Sequence, residues 1–309
     1  MLTGTVLRAL GGVYEVETPA GVVEAVLRGR VKREERLGEK VVVGDVVEVA
    51  EETSGGKTVW AIERVHERRT ALARRAPGKA PRAKVIVANV DRVVIVFAVA
   101  RPTPHLRMLD RFLVLCEANG LDPLIVANKV DLLPPDEARA LFAPYEQAGY
   151  AVLYTAARAG VGVDELREAL CGRRGRVSAL TGPSGVGKSS LLNAVQPGLA
   201  LRVASVSDAV QKGRHTTVTA QLIPLECGGY VADTPGLREL GLWGIDPEEL
   251  AGCFPEFARL DTCRYGNSCT HVHEPGCAVQ RAVGAGEIHA GRYESYRRMM
   301  QGDEEDWGV

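Results

Sequence analysis

The chain has 309 residues, of which 46% are hydrophobic and 25% charged, with a formal net charge of -1. That length accommodates two or three domains, and the composition excludes a disordered chain. A near-zero net charge carries no information about partners, and without a run of about eighteen apolar residues nothing reads as a membrane span. The segment from Met1 to Gly12 lacks the apolar core and cleavage site of a secretory signal, so a cytoplasmic location is expected.

From Thr3 to about Val65, short stretches alternate apolar and polar residues between glycines. Gly12–Glu17, Val22–Leu27, Asp45–Val49 and Thr58–Glu63 are examples, and period-two alternation reads as half-buried strands. About five of them predict a small OB-type barrel over 1–67, an architecture that commonly binds nucleic acid. Arg28, Arg30, Lys32, Arg33 and Arg36 fall in one loop region and favour RNA. A basic stretch follows, with Arg64, Arg68, Arg69, Arg74, Arg75, Lys79, Arg82 and Lys84 against the single acid Glu67. It reads either as a solvated linker, assigned to 68–84, or as a phosphate-neutralising segment.

The pattern then changes to apolar strands alternating with helices. Val93–Phe97, Pro123–Ala127, Val152–Tyr154 and Arg176–Leu180 read as strands. Leu106–Asn119, Asp136–Ala148 and Val163–Leu170 have helical spacing. That alternation predicts a parallel sheet in an α/β domain over 85–243. Beyond it, 244–309 carries short segments rich in Cys, His and Gly. Tyr293, Tyr296, Arg297 and Arg298 give a helical tail running into Asp303–Asp306, read as solvated.

The strongest local signal is Gly182–Pro183–Ser184–Gly185–Val186–Gly187–Lys188–Ser189–Ser190, which fits G-x-x-x-x-G-K-[ST] between a predicted strand and a predicted helix. Its glycines let backbone N–H groups turn around phosphates, and the helix N-terminus adds positive potential. Lys188 is expected to reach the β- and γ-phosphates, and Ser189 to ligate Mg²⁺. The base is chosen by Asn128–Lys129–Val130–Asp131 at the end of a predicted strand. Asp131 can accept both N1–H and the exocyclic amine of guanine, a donor pair that adenine lacks. Asn128 can bond the base and tie the loop down, while the Lys129 stem covers a purine face. Tyr154–Thr155–Ala156–Ala157, after the next strand, is read as offering a backbone N–H to guanine O6, with Thr155 and Ala156 carried as the contacts. Asp233 and Gly236, in Asp233–Thr234–Pro235–Gly236, are expected to hold Mg²⁺ through water and to sense the γ-phosphate. In the intervening loop, Thr216 and Thr217 are both candidates to close over Mg²⁺, with Thr217 carried as the ligand. Leu237 stands where many GTPases have a water-orienting glutamine, so His215 is the first candidate for that role.

Near the C-terminus, Cys263, Cys269, His271 and Cys277 offer three thiolates and an imidazole, a closed tetrahedral zinc set. His273 and the more distant Cys253 are alternatives. Cys116, Cys171 and Cys227 are scattered and read as small apolar residues.

The base motif precedes the phosphate loop, the reverse of the ordinary order. That order, with Gly213–Thr217, Asp233–Gly236, an N-terminal barrel and the cysteine cluster, resembles the RsgA/YjeQ family of GTPases dependent on the small ribosomal subunit. The resemblance covers almost the whole chain. It implies an all-β OB barrel, a circularly permuted α/β P-loop GTPase domain and a mainly α zinc domain. It further implies GTP/GDP, Mg²⁺ and zinc as ligands, and a monomer that binds 16S rRNA in the small (30S) subunit late in assembly. Family members usually have one residue fewer between the first two cysteines. Rival readings are a zinc-dependent RNA-binding module with slow turnover, a permuted GTPase acting on the large subunit, and an ATPase. Chain order also leads from Asp233 directly into the zinc segment, so a nucleotide-dependent shift of Gly236 and Leu237 is expected to pull on it.

Overall fold

The computed structural model describes residues 1–29, 31, 40–54, 57–75, 83–172, 175–199, 220–233, 247–260 and 263–302. His215, Thr216, Thr217, Gly236 and Leu237 lie outside them. The strands of the first half are β1 (Leu2–Leu10), β2 (Val13–Thr18), β3 (Gly21–Leu27), β4 (Val46–Ser54), β5 (Lys57–Val65), β6 (Ala71–Arg75) and β7 (Ala83–Ala88). They are followed by β8 (Arg92–Ala98), α1 (Leu106–Ala118), β9 (Pro123–Asn128), α2 (Pro135–Ala148), β10 (Ala151–Thr155) and α3 (Val163–Cys171). After β11 (Val177–Thr181) come α4 (Lys188–Val195), β12 (Gln221–Pro224), β13 (Tyr230–Asp233), α5 (Ala278–Ala285) and α6 (Ala290–Gln301). No helix among the described residues is long and apolar enough to cross a membrane.

The chain divides into two compact units. The first holds Met1–Arg92, Leu166–Leu180 and Leu192–Leu240. Within it, β1 to β5 run in the order β1-β2-β3-β5-β4, and β4 returns to β1 in antiparallel register, Thr5 against Val46, closing a five-stranded barrel. Alternation explains its interior: Val6, Val16, Ala25, Val47, Val49 and Ile62 are fully buried. Gly4 is required where β1 crosses β2, since a Cβ there would sit 2.4 Å from the Glu17 carbonyl oxygen. β12 pairs with β1 on one side and β13 on the other, and β13 runs parallel to β11.

The described parts of the basic stretch, 64–75 and 83–84, belong to this unit. β6 and β7 form an antiparallel ladder from Ala71–Ala88 to Arg75–Ala83, which the alternation did not predict. The Arg68 guanidinium grips the buried Asp45 carboxylate through two bonds of 2.7 and 2.9 Å. Arg69 pairs with Asp91 at 2.9 Å, and the second Asp91 oxygen accepts from the Val177 N–H. Arg28 likewise pairs with Glu63. These cations are matched inside the chain, while Arg30, Lys32, Arg33, Arg36, Lys79 and Arg82 lie outside the described residues. The reading of Cys171 and Cys227 as scattered apolar residues is corrected: they form a disulfide between the end of α3 and the turn joining β12 to β13.

The second unit holds Val93–Glu165, Thr181–Leu191 and Gly241–Val309. Here β8, β9 and β10 are parallel neighbours. Val93 to Ala98 are all buried, the continuous apolar run expected of a parallel strand covered on both faces. α1 buries Leu109, Phe112, Leu113 and Cys116, a helical stripe. α2 starts with Pro135 in its first turn and stops at Gly149, whose φ of 107° suits the left-handed cap.

The C-terminal segment has its own core of Phe254, Phe257, Cys253, Ile288 and Tyr296. Phe254 and Phe257 stack at 5.2 Å and Tyr296 meets both edge-on. The tail read as solvated is therefore partly core: Tyr296 is 1% exposed and Arg292 2%. Arg292 donates to both Glu256 oxygens at 2.8 and 3.0 Å and to Asp110 on α1 at 2.7 Å, with its plane 4.7 Å from the Phe254 ring centre. Ser295 hydroxyl completes the Asp110 shell.

Candidate nucleotide and metal sites

β9 and β10 end side by side, with Thr155 paired in register against Asn128, so both residues reach the carboxyl edge of the sheet where α/β domains bind ligands. Asn128, 1% exposed, donates through Nδ2 to the Val186 carbonyl at 2.8 Å and accepts at Oδ1 from the Thr155 hydroxyl at 3.0 Å. Both ends of its amide are thus spent on joining the base loop, the phosphate loop and the β10 loop. Tying down is its structural work, and the amide keeps a second N–H and a second lone pair beside the cavity that it lines. Lys129 adopts φ 63°, and its ammonium donates to the Gly185 carbonyl at 2.6 Å and to the Arg101 carbonyl.

The phosphate loop leaves β11 and enters α4 at Lys188. Gly182 and Gly187 take φ of 133° and 100°, and each is held by close neighbours. A Cβ on Gly182 would lie 2.1 Å from the Val96 carbonyl oxygen, and one on Gly187 2.4 Å from Asn128 Nδ2. These are backbone reasons for the two motif glycines. Lys188 Nζ donates to the Gly182 carbonyl at 2.7 Å and to the Pro183 carbonyl, so it lies along the loop. Ser184, Gly185, Ser189 and Ser190 are exposed, and Val186 is buried.

A cavity of about 360 Å³ opens between these loops. Arg101, Asn128, Lys129, Asp131, Ala157, Arg158, Gly185, Gly187 and Ser190 line it. Asp131 therefore faces the same space as the phosphate loop. Thr155 and Ala156 do not line it: Thr155 is fully buried beneath Asn128, and the Ala156 N–H is taken by the Val161 carbonyl at 3.0 Å. The wall is supplied by Ala157, the last residue of the segment read as facing O6, and by Arg158 after it. Arg101 and Arg158 were missed; neither belongs to a motif, though a cation beside each nucleotide loop was a usable signal. Asp233 closes β13, its backbone in register with Gln221.

The ligand atoms of Cys263, Cys269, His271 and Cys277 all lie within 4.8 Å of one another. Cys263 Sγ is 3.9 Å from Cys277 Sγ, and His271 Nδ1 is 3.5 and 3.4 Å from those two sulfurs. Tetrahedral zinc with ordinary bond lengths gives edges of about 3.8 Å between sulfurs and about 3.6 Å from sulfur to nitrogen. The set fits the ion. Burial pushes the His271 imidazolium pKa down, which favours the neutral ring a metal requires. The Ala278 N–H donates to Cys263 Sγ at 3.2 Å, and Tyr293 hydroxyl holds the His271 carbonyl at 2.7 Å. His273 is exposed and Cys253 bonds the Glu249 carbonyl, so both alternatives fall outside the cluster.

A phosphate loop, a base loop that precedes it in sequence, and a closed five-stranded barrel define a P-loop nucleotide-binding protein of circularly permuted order. The family model described as RsgA GTPase matches residues 65–243, and that described as RsgA N-terminal domain matches 3–58. The chain belongs to the RsgA GTPase family. A Gemmatimonas aurantiaca protein named small ribosomal subunit biogenesis GTPase RsgA is 54% identical over 299 residues, covering 96% of each chain. The Moorella thermoacetica protein of the same name is 47% identical, covering 96% of this chain and 95% of its own. Among solved structures, YjeQ from Thermotoga maritima superposes with a TM-score of 0.78 at 37% identity, covering 97% of this chain and 98% of its own. YloQ, described as a circularly permuted GTPase, gives 0.73 at 29% identity, covering 98% and 94%.

Proposed function

We propose that this chain hydrolyses GTP to GDP and phosphate and uses that reaction in maturation of the small ribosomal subunit, with which it associates through rRNA. The observation that carries the nucleotide half is the Asn128 junction, because it fixes Asp131 and the phosphate loop around one cavity. The ribosomal half rests on family membership and the names of the relatives. Asp131 accepts from the guanine N1–H and amine, the Ala157 N–H faces O6, and Lys129 and Arg158 cover the base. Lys188 leaves the Gly182 and Pro183 carbonyls to hold the β- and γ-phosphates. Ser189 and Thr217 would hold Mg²⁺, which would supply positive charge to offset that of the phosphates. Catalysis is by positioning and electrostatics, without a covalent intermediate. Leu237 offers no group to the attacking water, so His215 orients it and turnover without a partner is slow.

The working division is a barrel over 1–67, the GTPase over 85–243 and a zinc domain over 244–309. Cys263, Cys269, His271 and Cys277 hold zinc structurally, since four protein ligands leave no open position. The test of guanine selection is Asp131→Asn. Its GDP affinity is expected to fall at least about tenfold while ATP binding stays weak, the effect of losing a charge-assisted bond pair. A variant that keeps the wild-type preference for GDP over ATP overturns the assignment.

A further inference from the structure

Arg101 sits where no sequence motif points. The residue is exposed, has φ of 52°, and its guanidinium has no carboxylate partner among the described residues. Its backbone is fixed against the phosphate loop in two ways. The Lys129 ammonium donates to the carbonyls of both Arg101 and Gly185, bridging the two loops. The Pro102 ring packs over Gly185, with Cδ 3.7 Å from where a Cβ on that glycine would stand. Left-handed backbone in a residue other than glycine is uncommon and persists only where surroundings impose it. Here the imposed conformation leaves on the wall of the nucleotide cavity a cation with no carboxylate partner among the described residues.

The charges of that wall decide what Arg101 meets. Among the described residues, Lys129, Arg101 and Arg158 are the cations lining the cavity, and Asp131 is the only lining acid. Asp131 and Arg158 belong to loops that follow β9 and β10, the base side. Arg101 is instead tied to Gly185, whose part of a phosphate loop cradles the α- and β-phosphates. A guanidinium offers a planar pair of donors that matches two phosphate oxygens, which an ammonium does not.

We propose that Arg101 is a phosphate-contacting residue of the nucleotide site that grips the α/β-diphosphate common to GDP and GTP. The proposal rests on the guanine-nucleotide reading of the cavity. It makes Arg101 a determinant of diphosphate affinity and not of base choice or of the hydrolytic step itself.

The test is calorimetric titration of full-length protein with guanosine, GMP, GDP and GTP, for the wild type, Arg101→Asn and Arg101→Lys, at two salt concentrations. Asparagine tolerates the left-handed backbone, so the first variant removes the cation without straining the loop. Thermal unfolding checks that both variants are folded. Arg101→Asn is expected to weaken GDP and GTP by about tenfold each, GMP by less, and guanosine not at all. Arg101→Lys keeps the charge without the fork and falls between, and the salt dependence of GDP binding flattens in Arg101→Asn. GDP affinity within about twofold of wild type in Arg101→Asn overturns the proposal, since a solvated surface arginine behaves that way. A loss equal for guanosine and GDP also overturns it, because that marks a disturbed loop. Wild-type protein that binds no guanine nucleotide overturns the underlying reading along with it. Wild-type binding with unchanged variants overturns this inference alone.

Discussion

Replacing Arg292 by methionine removes its cation from a buried cluster while retaining most of its volume. Asp110 is 2% exposed and Glu256 8%, and Arg292 holds both through three hydrogen bonds of 2.7 to 3.0 Å. Without it two carboxylates remain in a pocket lined by Phe254, Tyr145 and Tyr150. Stranding buried partners of an ion pair costs about 3–5 kcal/mol. At 1.4 kcal/mol per decade, amide hydrogen exchange in α6 should accelerate by roughly two to three and a half decades if local opening governs it. Asp110→Asn should cost less. Burial already pushes the Asp110 carboxyl pKa up, against the pull of Arg292 and Ser295, so its ionised form is a burden on the fold at neutral pH. The assay is exchange mass spectrometry of the zinc-loaded protein, comparing peptides from α1, α6 and the barrel. Acceleration below about fivefold in α6, equivalent to about 1 kcal/mol, would refute the reasoning.

Gly187→Ala forces a Cβ into the space of Asn128 Nδ2, so nucleotide affinity should fall by at least about tenfold and stability by about 1–3 kcal/mol; wild-type GDP titration curves would contradict this. Purified protein should carry one zinc, and Cys277→Ser should lose it together with exchange protection across α5 and α6. Full metal content in that variant would show that another residue completes the set. Cys171 and Cys227 close a loop of sequence separation 56, so the double serine variant should be less stable by about 2–4 kcal/mol in denaturant. Equal midpoints for oxidised and double-variant protein would remove the staple from the account.

The barrel and the α/β order were legible because their signals are periodic and local. Val16 sits between Glu15 and Glu17, Val47 and Ile62 each precede a glutamate, and Val93–Ala98 is an unbroken apolar strand. The phosphate loop and Asn128–Asp131 were legible because special backbone geometry demands those residues. What escaped depends on distant pairing. The partners through which Asn128 ties its loop down, the Val186 carbonyl and the Thr155 hydroxyl, lie 58 and 27 residues away, and the Ala156 N–H reads as free until Val161 takes it. The tail from Tyr293 to Arg298 looked solvated, although Arg292, Ser295 and Tyr296 lie at i, i+3 and i+4, one buried stripe. The β6–β7 ladder was hidden by a run of cations that composition assigns to solvent. Cys171 and Cys227 offer no spacing rule, because their bond joins a helix end to a remote turn.

The central claim is tested most directly by phosphate release from GTP, measured on the purified protein alone, with isolated small ribosomal subunits, and with ATP or large subunits as controls. The account predicts slow hydrolysis of GTP alone, strong stimulation by small subunits, and no comparable rate with ATP or large subunits. Tight GTP binding without stimulation by small subunits would contradict the ribosomal half, and hydrolysis of ATP at the GTP rate would contradict the site.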